Sequence, residues 1–418
     1  MNDTIASPRP TSRGLRRVLD VAGPGLIVAA AGVGAGDLIA SLNAGASFGL
    51  TFAWAIIIGC GVKYVVTECI GRWSLATGTS PILGFHRLSK LFTGYFGIYS
   101  VILGFFYGAA IAAALGLTIN AMFPAVDSRI GAIVAVLVGL SVLWIGRYGV
   151  FERIMAGFVV VMFVSIVGAA LLTLPSLDLG ALFVGTAPEG GAFYVLGIIG
   201  GVGMSIGLLS YGSWLRERGW TDPSRVGAMR LDIAIGYAMT FVFMLAMMVV
   251  GAAFLYGSGT EVSGLADLGQ LAAPFADRFG QPAMWLLLIG MFSAVYSSLI
   301  GGYNALAHVF TDIVGVARGG SGDRVDGAQR SLPFRGYLVW MSIPPLAMLF
   351  LDRPVMLVLV YAALGALLMP VLMAGLLWLM NSRHMPAAHR NRWPMNVALV
   401  LGLAVFASLG VHELLHLG

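Results

Sequence analysis

Eleven apolar runs, most about twenty residues or longer, leave this 418-residue chain few ways to fold. They fall at residues 23–49, 51–73, 94–122, 130–146, 151–174, 192–214, 229–256, 281–310, 334–351, 355–380 and 395–415. Runs of that length cross a bilayer as helices; barrel strands would be about half as long and would alternate in polarity. With 59% hydrophobic and 10% charged residues, and a mean hydropathy of +0.91, the chain lacks the polar surface of a soluble domain. The expectation is an all-α polytopic membrane protein.

Charge sets its orientation. Arg9, Arg13, Arg16 and Arg17 precede the first run, and with that end inside, the outer loops hold only Arg129, Arg278 and Arg353. Lys63 lies within a span, and the remaining basic residues fall on the inner side, as the positive-inside rule requires. The expected location is the inner plasma membrane, with the N-terminus cytoplasmic and the C-terminus outside. The net charge of +5 follows from this topology and gives no reason to expect nucleic acid. Residues 1–20 read as a cytoplasmic tail rather than a cleaved signal, since they have no short apolar core. The outer loop 257–280 is expected to carry a short surface helix, and the glycine-rich stretch 315–335 to be a flexible inner link. Cys60 and Cys69 lie nine positions apart on one span and cannot bridge within it.

Two spans contain glycines where a helix should be continuous: "GVGAGD" at 32–37 and "GVGMSIG" at 201–207. They share the tripeptide GVG and lie in spans one and six. Five spans separate corresponding positions, so the second half enters the membrane from the opposite side. Paired interrupted helices in such halves mark the substrate site of an inverted-repeat transporter. Small residues that merely let helices pack closely are the plain alternative.

Asp37 tips the balance, because among nineteen acids it is the one placed near mid-span. A charge there costs a few kcal/mol and is normally aimed at a cavity or a partner. Asp232 and Asp312 fall toward the inner ends of spans seven and eight, where water is expected close by. Lys63, also deep in the membrane, could form an ion pair with Glu68 or Asp37, or act as a built-in cation. Span eight carries a polar row that includes Tyr296, Ser297 and Asn304, suited to interhelical packing with some lining of a path.

The stretch "GPGLIVAAAGVGAGDLIASLNAGASFGL" (23–50) resembles the first helix of the natural resistance-associated macrophage protein family of divalent-metal transporters. So do "RWSLATG" (72–78), "LGIIGGVGMSIG" (196–207), "SAVYSSLIGG" (293–302) and "LLMPVLMAG" (367–375), in the family's order along nearly the whole chain. The resemblance implies the LeuT-type fold, five helices plus five in inverted repeat, with helices 1 and 6 unwound at mid-membrane and an eleventh helix added. The repeats would span residues 21–175 and 192–381, with the extra helix at 394–418. Where the family has DPGN, this chain has Gly34, Ala35, Gly36 and Asp37; where it has MPHN, this chain has Met204, Ser205, Ile206 and Gly207. A second family histidine corresponds to Tyr211, and the third-helix acids that carry protons correspond to Ala110 and Ala113. The implied metal shell is the Asp37 carboxylate, the Met204 thioether and the carbonyls of Ala31 and Gly201, with Gly32, Gly34, Gly36, Gly203 and Gly207 permitting the breaks. Proton coupling is not implied.

A soft thioether beside hard oxygens suits Mn²⁺ or Fe²⁺, carried as cargo, with no resident cofactor. The alternative is a small organic solute or anion on the same fold, with Lys63 as its counter-charge. A monomer in the lipid bilayer suffices. The one enzyme motif, "HELLH" at 412–416, matches a zinc-protease pattern but lacks a downstream third ligand, so no enzymatic activity is expected.

Overall fold

The computed structural model describes residues 23–176, 198–199, 204–256, 268–320, 328–351 and 354–416. The tail 1–20, most of the outer loop 175–191, and Gly201 and Gly203 lie outside them. Among the described residues all regular structure is helical. The first span is two helices, α1 (Pro24–Gly32) and α2 (Ala35–Phe48). Then come α3 (Ala53–Thr77), α4 (Pro81–Leu88), α5 (Lys90–Met122), α6 (Ser128–Trp144) and α7 (Tyr148–Thr173). The sixth span re-emerges as a 3₁₀ turn, Ile206–Ser210, that runs into α8 (Tyr211–Glu217). After it follow α9 (Val226–Leu255), α10 (Leu268–Phe279), α11 (Gln281–Ala317), α12 (Leu332–Ser342), α13 (Pro354–Asn381) and α14 (Trp393–His416).

Six of these stretches are long and apolar enough to cross a membrane: Ala53–Thr77, Lys90–Met122, Tyr148–Thr173, Pro223–Leu255, Gln281–Ala317 and Leu332–Leu351. Their outer faces carry Ile57, Ile98, Val160 and Val164 in the open, as lipid-facing surfaces do. The protein is a multi-pass membrane protein.

Local chemistry explains where the helices start and stop. The Asp127 carboxylate accepts the N–H groups of Arg129 and Ile130, which caps α6. Gly78 closes α3 in the left-handed region at φ 68°. Three details depart from the sequence expectation. Span nine is helical only to Ser342 and continues as a 3₁₀ stretch, because Pro344 and Pro345 have no N–H to give. Span eight runs on to Ala317. The short α4 was not expected, although Ser80, whose hydroxyl accepts the Leu83 N–H, and Pro81 at the first position form a legible helix start. The expected surface helix in the loop 257–280 is α10.

At the centre, α9 lies along both halves of the broken first span, and α11 packs on α5, α7 and α1. Glycines permit the close approach of α9. A Cβ at Gly236 would land on the Gly25 carbonyl, and one at Gly251 on the Leu42 carbonyl. The broken span is therefore clamped backbone to backbone.

Candidate functional site

The first span breaks at Val33 and Gly34, where the chain is non-helical between α1 and α2. Breaking a helix exposes N–H groups at the new start and carbonyls at the new end. At the start of α2 the Gly34 N–H donates to Asp37 Oδ2 at 3.2 Å, so the mid-span acid sits in the first turn of a half-helix, at its positive end. Asp37 is 2% exposed. At the end of α1 two serines of α11 satisfy the carbonyls: Ser297 Oγ donates to Ala30 O at 3.0 Å, and Ser298 Oγ to Ala31 O at 3.1 Å. Tyr107 on α5 donates to the Ser298 carbonyl at 2.6 Å and fixes that turn in place. Gly34 must be small here, since a Cβ would press on the Ser298 hydroxyl. Gly32 is the last residue of α1, and Gly36 lies inside α2.

The second break includes Met204 and Ser205, which precede the 3₁₀ turn. Met204 is 6% exposed, and its thioether folds back over Gly207, where an added Cβ would come within 2.9 Å of the sulfur. The Tyr361 ring on α13 lies 5.1 Å from that of Tyr107.

Lys63 joins the two breaks. Its ammonium donates to the Met204 carbonyl at 3.0 Å, meets Met369 Sδ at 3.8 Å and lies 5.7 Å from the centre of the Phe406 ring. Asp37 acts on it electrostatically. The expected Lys63–Glu68 pair is not formed. Five residues on a helix turn through about 500°, so the two side chains leave α3 about 140° apart. Glu68 faces Arg72, one turn on, at 3.0 Å, and Arg230 of α9 at 2.7 Å. Arg72 continues the network to the His389 carbonyl and the Asn391 side chain, in the link between α13 and α14.

The residues expected along a path are all buried and each makes an interhelical hydrogen bond. Tyr211 donates to Asp232 at 3.0 Å, Tyr296 to the Ala135 carbonyl at 3.3 Å and Ser297 to Ala30, while Asn304 accepts from Trp214 at 2.8 Å. Each of these hydrogen bonds joins two helices, as the packing expectation for the polar row requires. Asp232 departs from the expectation of an acid close to water: it is 0% exposed and accepts the N–H groups of Gly23 at 2.9 Å and Gly25 at 2.6 Å. Asp312 stays partly exposed, as expected, and pairs with Arg216 at 3.5 Å. Ala110 and Ala113 form an apolar wall with Leu357 and Tyr361.

Among the described residues no three His, Cys, Asp or Glu side chains come together. A cation at the paired breaks would meet one carboxylate, sulfur and peptide carbonyls. Sequence reasoning missed Tyr107, Ser205, Tyr361 and Asp232. Ser205 lies inside the second glycine-rich motif, but nothing local marks the other three. "HELLH" forms the last turns of α14; its side chains lie outside the described residues.

The sequence profile described as "Natural resistance-associated macrophage protein-like" matches residues 25–416. A divalent metal cation transporter, MntH, of Chromohalobacter salexigens is 26% identical over 302 residues, 67% of this chain and 68% of that one. An uncharacterized protein of Pasteurella multocida is 22% identical over 289 residues, 66% of each chain. The crystal structure of a manganese transporter from Eremococcus coleocola superposes with a TM-score of 0.75 at 17% identity, covering 99% of this chain and 89% of that one. The likeness to that structure shows the fold, the LeuT-type five-plus-five inverted repeat with spans one and six broken.

Proposed function

Because this chain belongs to the Natural resistance-associated macrophage protein-like family, we propose that it is a secondary transporter of a divalent metal cation of the Mn²⁺ or Fe²⁺ class. It works by alternating access, with residues 21–175 and 192–381 as its opposed repeats and the N-terminus in the cytoplasm. Asp37 is the charged ligand and Met204 the selective one. The carbonyls of Ala31 and Gly201 complete the shell. Ala31 already accepts one hydrogen bond, from Ser298, and a carbonyl oxygen has a second lone pair to offer.

The observation that carries this reading is the buried Asp37 carboxylate at the start of the α2 half-helix. An acid inside hydrocarbon is costly and is normally aimed at a cavity, a pathway or a partner. Relatives named as divalent metal cation transporters do not favour the organic-solute alternative. The family's third-helix acids and second histidine are replaced by Ala110, Ala113 and Tyr211, so this reading does not include coupling to protons along that route.

The test is Mn²⁺ flux into vesicles reconstituted with the purified protein, for wild type and Asp37→Ala. Flux in the wild type that is lost in the variant supports metal transport. Absence of Mn²⁺ flux in the wild type, or equal flux in both, overturns it.

A further inference from the structure

A lysine is rarely placed at mid-membrane, and Lys63 lies ten residues into the 25-residue helix α3 with 1% of its surface exposed. Its ammonium does not reach either end of the helix. It rests instead on a peptide oxygen (Met204, 3.0 Å), a thioether (Met369, 3.8 Å) and an aromatic face (Phe406, 5.7 Å). These are the electron-rich groups by which proteins hold cations in place of water. Asp37, the proposed metal ligand, is the charged group that acts on it. Lys63 is therefore a cation attached to the protein, docked at the second break and within the field of the acid at the first.

We infer that Lys63 sets the affinity of the site: a tethered cation, held on the Met204 peptide, that competes with the transported ion for Asp37. This rests on the metal-transport reading. Asp37 and Lys63 together carry no net charge, so an entering divalent ion leaves the buried site with an excess of two positive charges. That excess weakens the hold on divalent ions, and it acts on Mn²⁺, Mg²⁺ and Ca²⁺ alike. Selection among these ions is left to the Met204 sulfur.

The experiment is calorimetric titration of Mn²⁺ into the full-length protein in lipid nanodiscs, for wild type, Lys63→Met and Lys63→Arg. Methionine keeps the length and removes the charge; arginine keeps the charge. Lys63→Met is expected to bind Mn²⁺ tighter by about tenfold or more, the effect of one nearby charge in a partly buried site. Lys63→Arg is expected to stay close to wild type. Unchanged or weaker binding by Lys63→Met, where the wild type binds, overturns the inference and leaves the metal reading standing. Absence of Mn²⁺ binding in all three proteins overturns the metal reading and this inference with it. Should Lys63→Met not be monodisperse, Lys63→Gln takes its place under the same criteria.

Discussion

The Asp232 carboxylate of α9 accepts the Gly25 N–H at 2.6 Å, which ties the start of the broken first span to the helix beside it. The same carboxylate takes the Gly23 N–H and the Tyr211 hydroxyl, while Pro24 between the two glycines has no N–H to offer. Helix starts leave such donors unpaired, and here one buried acid collects two of them together with the sixth span. The Arg218 guanidinium lies against Gly23 and pairs with Glu152 on α7 at 2.8 Å, which extends the tie to the fifth span.

Replacing Asp232 with alanine should therefore free the start of α1. Buried hydrogen bonds to a charged group contribute about 1.5–3 kcal/mol each, so losing all three is expected to cost about 4 kcal/mol or more in stability. Hydrogen exchange at residues 23–30 should accelerate relative to the rest of the chain. Unchanged exchange there would show that α1 is held by packing alone.

Gly236 lies one turn from Asp232 on the same face, and its added Cβ would strike the Gly25 carbonyl. Gly236→Ala should lift α1 from α9 and destabilise by about 1–3 kcal/mol, the usual cost of overpacking. Both residues hold one helix, so the double variant with Asp232→Ala should fall short of the sum of the single effects. Thermal unfolding of the four proteins measures this, and simple additivity would separate the two contacts.

Glu68 and Arg230 form the same ion pair yet should differ sharply. Glu68→Gln leaves Arg72 buried without a full counter-charge and should cost about 3 kcal/mol or more. Arg230→Ala removes a side chain that is 50% exposed and leaves the Glu68–Arg72 pair intact, so less than about 1 kcal/mol is expected. Equal losses in denaturation midpoint would contradict the burial argument.

Met204→Ala should relax the exclusion of Ca²⁺ and Mg²⁺, because the soft donor of the proposed site is then gone. Competition of these ions with Mn²⁺ flux is the readout. The ratio of inhibition by Ca²⁺ to that by Fe²⁺ should rise, and an unchanged ratio would remove sulfur from the selectivity mechanism.

The sequence alone determined that the chain is a bundle of membrane helices, and it located the break in the first span to within a few residues. Hydrophobic length and glycine content are local properties, and of the two arrangements that satisfy peptide groups in hydrocarbon, helices and closed barrels, runs this long fit helices alone. It also singled out Asp37 and Lys63, because a charge at mid-membrane is conspicuous whatever it touches. Only the tertiary structure decided what those charges face. The helical twist between Lys63 and Glu68 sends one to the Met204 peptide and the other to two arginines. Nor could chain position show that Asp232, near the end of its helix, is covered by α1 and α8, because burial of an end residue depends on which neighbour lies over it.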